Sequence, residues 1–246
     1  MLGQVFSLYG DKYNVVILAG GAGTRMGEQS DYICKALTPL GERRAIDFII
    51  ERYNNVAHKF IIGTGYHADL LKSYILGNYN QNKFVFSHEK PNEIKNNAYS
   101  FMYCLDYCDV RYSTIVLFCD LLLLGNFNIE KNSFMLATTK TKGQIGTFRH
   151  TYNFSENWFC YNENNPVKPT EEDLGVMGNF VFGDTYHLKK ITYSTPFKDL
   201  KDITNDVVIP YHKDIYMKGV CCEKVIEFGT EADIQTAREL WEKTVW

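Results

Sequence analysis

The chain has 246 residues, enough for one α/β domain with a substantial core. Its net charge of -3 excludes a general long-range attraction for nucleic acid, so basic residues must act locally. No stretch reaches the length of a transmembrane helix, and no basic region precedes an apolar core at the start of the chain, so we expect a cytoplasmic protein without a membrane partner. Seven cysteines without a C-x-x-C pair favour reduced thiols.

Strands and helices alternate in the first half of the chain. Apolar runs bounded by turn residues predict the strands, and apolar residues at helical spacing predict the helices between them. In chain order these are strand 15–19, helix 45–54, strand 60–63, helix 68–76, strand 84–87, helix 98–107 and strand 115–119. The alternation predicts an α/β fold whose mostly parallel central sheet has helices on both faces.

Shorter strands follow from residue 134 onward. The predicted strands are 134–139, 144–152, 158–161 and a return strand at 179–182, and a last helix is predicted at 231–243. This pattern predicts a small β-rich insertion beside the main sheet.

A glycine-rich segment, LAGGAGTRM at residues 18–26, follows the first predicted strand. Its glycines carry no Cβ, so backbone N–H groups are accessible to a polyphosphate. Arg25 adds a planar cation and Lys35 a point charge, and together they would neutralise a triphosphate. A simple strand-to-helix turn is the alternative interpretation. The candidate nucleotide-binding residues of this segment are Leu18, Ala19, Gly20, Gly21, Ala22, Gly23 and Thr24.

Two better-known phosphate loops are excluded by their spacing. A dinucleotide fingerprint that starts at Gly21 requires glycine or alanine where this chain has Met26. No pair of glycines before a lysine has the spacing of a P-loop. Dehydrogenase and P-loop kinase functions therefore lose their main support.

The glycine-rich segment and the lysine in CKAL resemble the signature of nucleotidyltransferases that make nucleotide sugars and related activated metabolites. Cys34 stands where that family usually has Pro. The resemblance implies a Rossmann-like, GT-A-type fold, Mg²⁺ as cofactor, and Arg25 and Lys35 as catalytic residues. From the order of the predicted elements we expect one domain over 1–246, with a nucleotide-binding lobe at 14–133, an acceptor-binding lobe at 134–229 and a C-terminal helix at 230–246.

Two acidic residues are candidate Mg²⁺ ligands, because this ion prefers oxygen ligands. Asp120 follows the strand predicted at 115–119, at the carboxyl edge where open α/β sheets bind ligands. The segment VIEFGTEADIQTA resembles the family's WxDxGTxED segment, which implies that Glu227 is the second ligand, with Glu in place of Asp. A turn cap at Asp120 and a plain acid at a strand end for Glu227 are the alternatives.

Two residues of the insertion are candidates for binding the acceptor. Lys168 lies in NPVKP, which is similar to the family's EKP segment and implies a contact with the acceptor phosphate, although Val167 replaces the Glu. Trp158 belongs to a group of aromatic residues that could form a wall for a cationic acceptor or, alternatively, pack across strands.

The segment NNAYSFMYCL resembles the small cytidylyltransferases that activate phosphocholine. This resemblance implies that Asn97 and Ser100 contact the base or ribose and that CTP is the donor; a helix N-cap is the alternative for Asn97. The implied reaction transfers CMP from CTP to the phosphate of a small acceptor of phosphoglutamine or phosphocholine type, in capsule or cell-surface polysaccharide modification. A sugar-1-phosphate nucleotidyltransferase and a non-catalytic nucleotide-binding subunit are the alternative functions. No nucleic-acid partner is expected, and the oligomeric state stays open.

Overall fold

The computed structural model describes most of the chain. The described residues are 5–7, 11–88, 96–125, 127–137, 150–153, 158–161, 174–222, 224–227, 230, 232, 234–235 and 237–239. The strands are β1 Val5–Ser7, β2 Tyr13–Leu18, β3 Pro39–Leu40, β4 Arg43–Arg44, β5 Ala57–Thr64, β6 Phe84–His88, β7 Ser113–Phe118, β8 Leu121–Leu124, β9 Phe127–Ile129, β10 Ser133–Ala137, β11 His150–Asn153, β12 Trp158–Tyr161, β13 Gly175–Phe182, β14 Lys218–Cys221 and β15 Lys224–Glu227. The α-helices are α1 Ala45–Tyr53, α2 Ala68–Asn78, α3 Asn97–Leu105, α4 Thr185–Ser194 and α5 Ile209–Asp214.

The main sheet has the strand order β12-β11-β13-β7-β2-β5-β6, and β10 joins it by pairing with both β13 and β14. Strands β7, β2, β5 and β6 run parallel to one another, whereas β13 is antiparallel to β7. The predicted α/β fold with a mostly parallel centre is therefore confirmed. β2 lies at the middle of the parallel part, which places its carboxyl end between those of β5 and β7.

Side chains on alternating positions of β2 enter two separate cores. Val15 and Ile17 pack with residues of α1 and α2, whereas Val16 and Leu18 pack with residues of α3, α4 and α5. Because successive side chains of a strand point to opposite faces, helices cover both faces of the sheet. All six residues of β2 are buried. A strand covered on both faces is typically a continuous apolar run, as the sequence predicted here.

The second half of the chain contains helices that the sequence pattern did not predict. Asp184 caps α4, since its side chain accepts a hydrogen bond from His187 N at 2.8 Å. A π-helical turn at Thr204–Val208 leads into α5. These helices pack on the α3 face, so the second half is not only a β-rich insertion.

The structure describes part of the predicted last helix. Residues 232, 234–235 and 237–239 are helical, and Ile234 and Ala237 join the core on the α1 face. Of the predicted strand 144–152, the described part begins at His150. The division into two lobes and a terminal helix stays a prediction. Within the described ranges, no helix is long and apolar enough to cross a bilayer.

Candidate functional site

The glycine-rich segment begins at the carboxyl edge of the sheet, between two neighbouring strand ends. Ala19 N donates to Gly63 O at 2.8 Å on the β5 side, and Cys119 N donates to Leu18 O at 3.3 Å on the β7 side. Gly23 then turns the chain with φ +68°, a conformation that favours glycine. Met26 is fully buried and its N–H donates to Gly23 O at 2.8 Å, which fixes the turn.

Lys35 and Asp120 form the central ion pair of the site. Lys35 Nζ donates to Asp120 Oδ2 at 2.8 Å, and the two side chains are 13% and 26% exposed. Lys35 starts a short 3₁₀ helix, Lys35–Leu37, whose next two residues are buried. Asp120 lies two residues beyond β7. The folding of two distant segments therefore brings together a cation and a carboxylate that the sequence predicted as functional.

The aliphatic stem of Lys35 passes close to the glycine turn. A Cβ added at Gly23 would lie 3.4 Å from Lys35 Cγ and 3.1 Å from Met26 Sδ. Gly23 thus has two reasons to be glycine, its positive φ and this close approach. The glycine turn, Lys35 and Asp120 consequently form one cluster at the carboxyl edge, where open α/β sheets bind ligands.

Two buried thiols flank the ion pair in sequence. Cys34 precedes Lys35, Cys119 precedes Asp120, and both are almost fully buried. Burial raises the pKa of the Cys34 thiol, and burial together with the Asp120 charge raises the pKa of the Cys119 thiol well above its ordinary value. Both thiols are therefore neutral at physiological pH, and the six cysteines whose side chains are described are all free.

Glu227 is brought beside Asp120 by the pairing of β15 with β8. In this antiparallel ladder Glu227 lies opposite Leu121, the residue that directly follows Asp120. Mg²⁺ commonly takes one or two carboxylates from protein and further oxygen ligands from phosphates and water. Asp120 and Glu227, the predicted metal ligands, are both carboxylates, and their backbones lie close together. They therefore fit a site for Mg²⁺. Across the described residues there is no group of three or more metal-binding side chains.

Arg25 is exposed on the 3₁₀ segment Thr24–Asp31. This segment is kinked at Gly27, which has φ 67° and ψ -151°. Arg25 therefore stands on the same loop as the glycine turn, on a segment with poorer hydrogen-bond geometry than an α-helix. Its catalytic role stays a prediction.

The start of α3 places Asn97 and Ser100 among protein partners. Asn96, rather than Asn97, is the N-cap, because its side chain accepts a hydrogen bond from Tyr99 N at 2.8 Å. Asn97 Oδ1 accepts a hydrogen bond from Ile203 N at 2.9 Å, and Ser100 Oγ donates to Asn96 O at 2.9 Å. The alternative of an N-cap at Asn97 is thus wrong, and contacts of these two side chains with a nucleotide stay predictions.

The two candidate acceptor residues lie wholly or partly outside the described residues. Lys168 lies outside the described residues. Trp158 begins β12 opposite Asn153 of β11, but its side chain is outside the described part. Both the contact of Trp158 with an acceptor and its packing across the strands stay predictions.

Sequence reasoning missed two residues that contact the glycine-rich segment or the Thr24–Asp31 segment that overlaps its end. Tyr66 N donates to Gly20 O at 3.1 Å, and the His67 ring nitrogen Nε2 lies 3.0 Å from Ser30 O. An isolated Tyr-His pair after a strand carries no sequence signal of such contacts. The unusual backbone of His67, with φ 56°, is visible only in the structure.

Comparison with known proteins places this site in context. Residues 15–131 match the model of the MobA-like NTP transferase domain. No curated protein sequence matches the chain.

Several solved structures share the fold of the chain. The CTP:phosphocholine cytidylyltransferase from Streptococcus pneumoniae has a TM-score of 0.71 and 15% identity over 93% of this chain and 99% of its own. A putative glucose-1-phosphate thymidylyltransferase from Bacillus anthracis has a TM-score of 0.66 and 17% identity, and covers 93% and 95% of the two chains. A UDP-glucose pyrophosphorylase complexed with UDP-glucose has a TM-score of 0.67 and 16% identity, and covers 94% and 99%. At these identities the similarity establishes the fold.

Proposed function

We propose that the protein transfers a nucleotidyl group from a nucleoside triphosphate to a phosphorylated small acceptor, because residues 15–131 match the model of the MobA-like NTP transferase domain and the chain shares the fold of solved nucleotidyltransferases. We further propose CTP as donor and an acceptor of phosphoglutamine or phosphocholine type, in capsule or cell-surface modification in the cytoplasm. The observation that carries the proposal is the ion pair of Lys35 with Asp120 at 2.8 Å, beside the glycine turn.

The proposed reaction needs little acid-base help from the protein. The acceptor phosphate is already ionised at neutral pH, so it attacks the α-phosphorus in line while pyrophosphate leaves. Catalysis then consists of positioning and of neutralising charge. Backbone N–H groups of the glycine turn and the Lys35 ammonium would hold phosphate oxygens, and Arg25 would balance charge on the leaving pyrophosphate.

Asp120 and Glu227 are the residues that would hold Mg²⁺. The ion, when bound, supplies Lewis-acid stabilisation of phosphate charge. Lys35, whose ammonium pairs with Asp120, would hold a phosphate oxygen of the bound triphosphate. The ion pair therefore keeps both groups at the site before substrate arrives.

The choice of base and acceptor rests on narrower support. The NNAYSFMYCL segment resembles the phosphocholine cytidylyltransferases, and the fold is shared with the Streptococcus pneumoniae enzyme. A sugar-1-phosphate acceptor is the second candidate, because the fold is shared to a similar degree with a UDP-glucose pyrophosphorylase and a putative thymidylyltransferase. We propose no nucleic-acid or membrane partner.

Pyrophosphate release tests the proposal directly. Purified protein with Mg²⁺ is assayed with CTP, UTP, ATP, GTP and dTTP, each with phosphocholine, phosphorylated glutamine and hexose-1-phosphates. We expect turnover with CTP and a non-sugar acceptor. Turnover only with a hexose-1-phosphate would replace the first candidate by the second, and binding of a triphosphate without turnover on any pair would favour the non-catalytic subunit.

Two variants show whether the proposed site is responsible for that turnover. Lys35→Met removes the ammonium and keeps most of the aliphatic stem. Lys83→Met is the matched control, because Lys83 Nζ donates to the Asn54 side chain at 2.8 Å on an exposed surface away from the site. We expect loss of turnover in the first variant and normal turnover in the second.

A further inference from the structure

His67 breaks two local rules of helix formation. It is the N-cap of α2, a position that favours Ser, Thr, Asp or Asn, yet its side chain makes no capping hydrogen bond. Its backbone is left-handed, with φ 56° and ψ 34°, which is uncommon and strained for a non-glycine residue. A residue that weakens its own helix start in this way is a candidate for a role elsewhere.

The side chain of His67 reaches the Thr24–Asp31 segment instead of its own helix. His67 Nε2 lies 3.0 Å from Ser30 O, and because a carbonyl oxygen only accepts, the Nε2 proton is the donor. Next to it, Tyr66 N donates to Gly20 O at 3.1 Å, and the Tyr66 and His67 rings meet edge to face with centroids 4.6 Å apart. Tyr66 therefore contacts the glycine-rich segment near its start, and His67 contacts the Thr24–Asp31 segment near its end.

The contact at Ser30 restrains the segment that carries Arg25. This segment, Thr24–Asp31, is 3₁₀ and kinked at Gly27, so its own hydrogen bonds hold it weakly. Ser30 Oγ donates to Gly27 O at 2.9 Å, which links the anchored end to the kink. Restraint of Ser30 by His67 thus limits the positions available to Arg25.

We propose that His67 is a positioning residue that holds the Thr24–Asp31 segment so that Arg25 meets the departing pyrophosphate. The inference rests on the nucleotidyl transfer proposed above. It predicts that His67 affects turnover through Arg25 and contributes little to the stability of the fold.

His67→Asn separates the two effects. Asn tolerates a left-handed backbone and caps helices well, so the variant should keep or raise the melting temperature, although its shorter side chain does not reach Ser30 O. We expect kcat to fall about tenfold, with little change in KM for the triphosphate, because the loss concerns transition-state charge. His187→Asn is the matched control: His187 lies on α4 with its Nε2 3.0 Å from Asp214 Oδ2 of α5, and turnover should stay normal. Normal kcat in His67→Asn would overturn the proposal.

A double-mutant cycle asks whether Arg25 is the group positioned. In the Arg25→Ala background, His67→Asn should cause almost no further loss of kcat, because its effect is transmitted through the missing guanidinium. The same tenfold loss in both backgrounds would overturn the assignment.

Limited trypsin digestion provides a readout that does not need activity. Cleavage after Arg25 should be faster in His67→Asn than in the wild type, whereas cleavage after Arg111, which is paired with Asp109, should be unchanged. An equal rate after Arg25 in both proteins would overturn the proposal. A wild-type protein without turnover on any substrate pair would refute the proposed function, and the digestion would still decide whether His67 holds the segment.

Discussion

Removal of the Lys35 ammonium should affect turnover far more than stability. The pair with Asp120 is a charge-assisted hydrogen bond of 2.8 Å between side chains that are 13% and 26% exposed. Hydrogen bonds to charged groups contribute about 1.5–3 kcal/mol to stability. Lys35→Met keeps the stem that passes Gly23, so we expect the free energy of unfolding to fall by about 2 kcal/mol. Loss of one preorganised electrostatic contact to a transferring phosphate should lower kcat/KM by about 10²–10³-fold.

The double variant Lys35→Met with Asp120→Asn distinguishes the two effects. Each single variant leaves one partly buried charge without its partner, whereas the double variant leaves none. The double variant should therefore be about as stable as either single one, because the two losses are not additive. Its turnover should be no better than that of Lys35→Met, since both groups are needed for the reaction.

Urea unfolding and pyrophosphate release measure these two quantities on the same preparations. Lys83→Met serves as the control in both assays. Turnover of Lys35→Met within threefold of the wild type would refute the assignment of Lys35 to the phosphates. Additive losses of stability in the double variant would refute the reasoning that the pair is coupled.

Three further predictions follow from other parts of the structure. Glu227→Gln should raise the Mg²⁺ concentration needed for half-maximal turnover, which a metal titration measures after treatment with a chelator; an unchanged titration would remove Glu227 from the metal site. Gly178→Ala should lower the free energy of unfolding by about 3 kcal/mol, because the residue has a positive φ and its Cβ would lie 2.5 Å from the Phe118 ring. A free energy of unfolding in urea within about 0.5 kcal/mol of the wild type, the size of an ordinary surface substitution, would contradict this. Burial and the hydrogen bond to Asp47 raise the pKa of Tyr74 to about 12. The contribution of this group to the free energy of unfolding is therefore complete below pH 10 and is lost as the pH rises from 10 to about 12. Between these pH values, the free energy of unfolding of Tyr74→Phe should fall less steeply than that of the wild type.

The central sheet could be predicted because each parallel strand is an uninterrupted apolar run. β2 and β7 are buried almost throughout, and turn residues mark their ends. The helices α4 and α5 were missed because their apolar residues are few and spaced among polar ones. Their position is set by packing against α3, which a local pattern does not contain.

The ion pair was predictable in its members but not in its geometry. A glycine-rich segment, a lysine and an acid at a strand end identify Lys35 and Asp120, and the parallel sheet brings their segments to one edge. The position of Glu227 close to Asp120 could not be predicted, because it depends on the pairing of β15 with β8, which joins residues about one hundred positions apart. The contact of His67 with Ser30 likewise depends on a left-handed residue whose conformation no local propensity favours.

Transfer of a labelled phosphate tests the central claim most directly. The protein is incubated with Mg²⁺, an acceptor and CTP labelled either at the α-phosphate or at the γ-phosphate. Nucleotidyl transfer predicts that the α-label appears in the acceptor product and the γ-label in pyrophosphate. Appearance of the γ-label in the acceptor, or its release as inorganic phosphate, would contradict the proposed attack at the α-phosphorus.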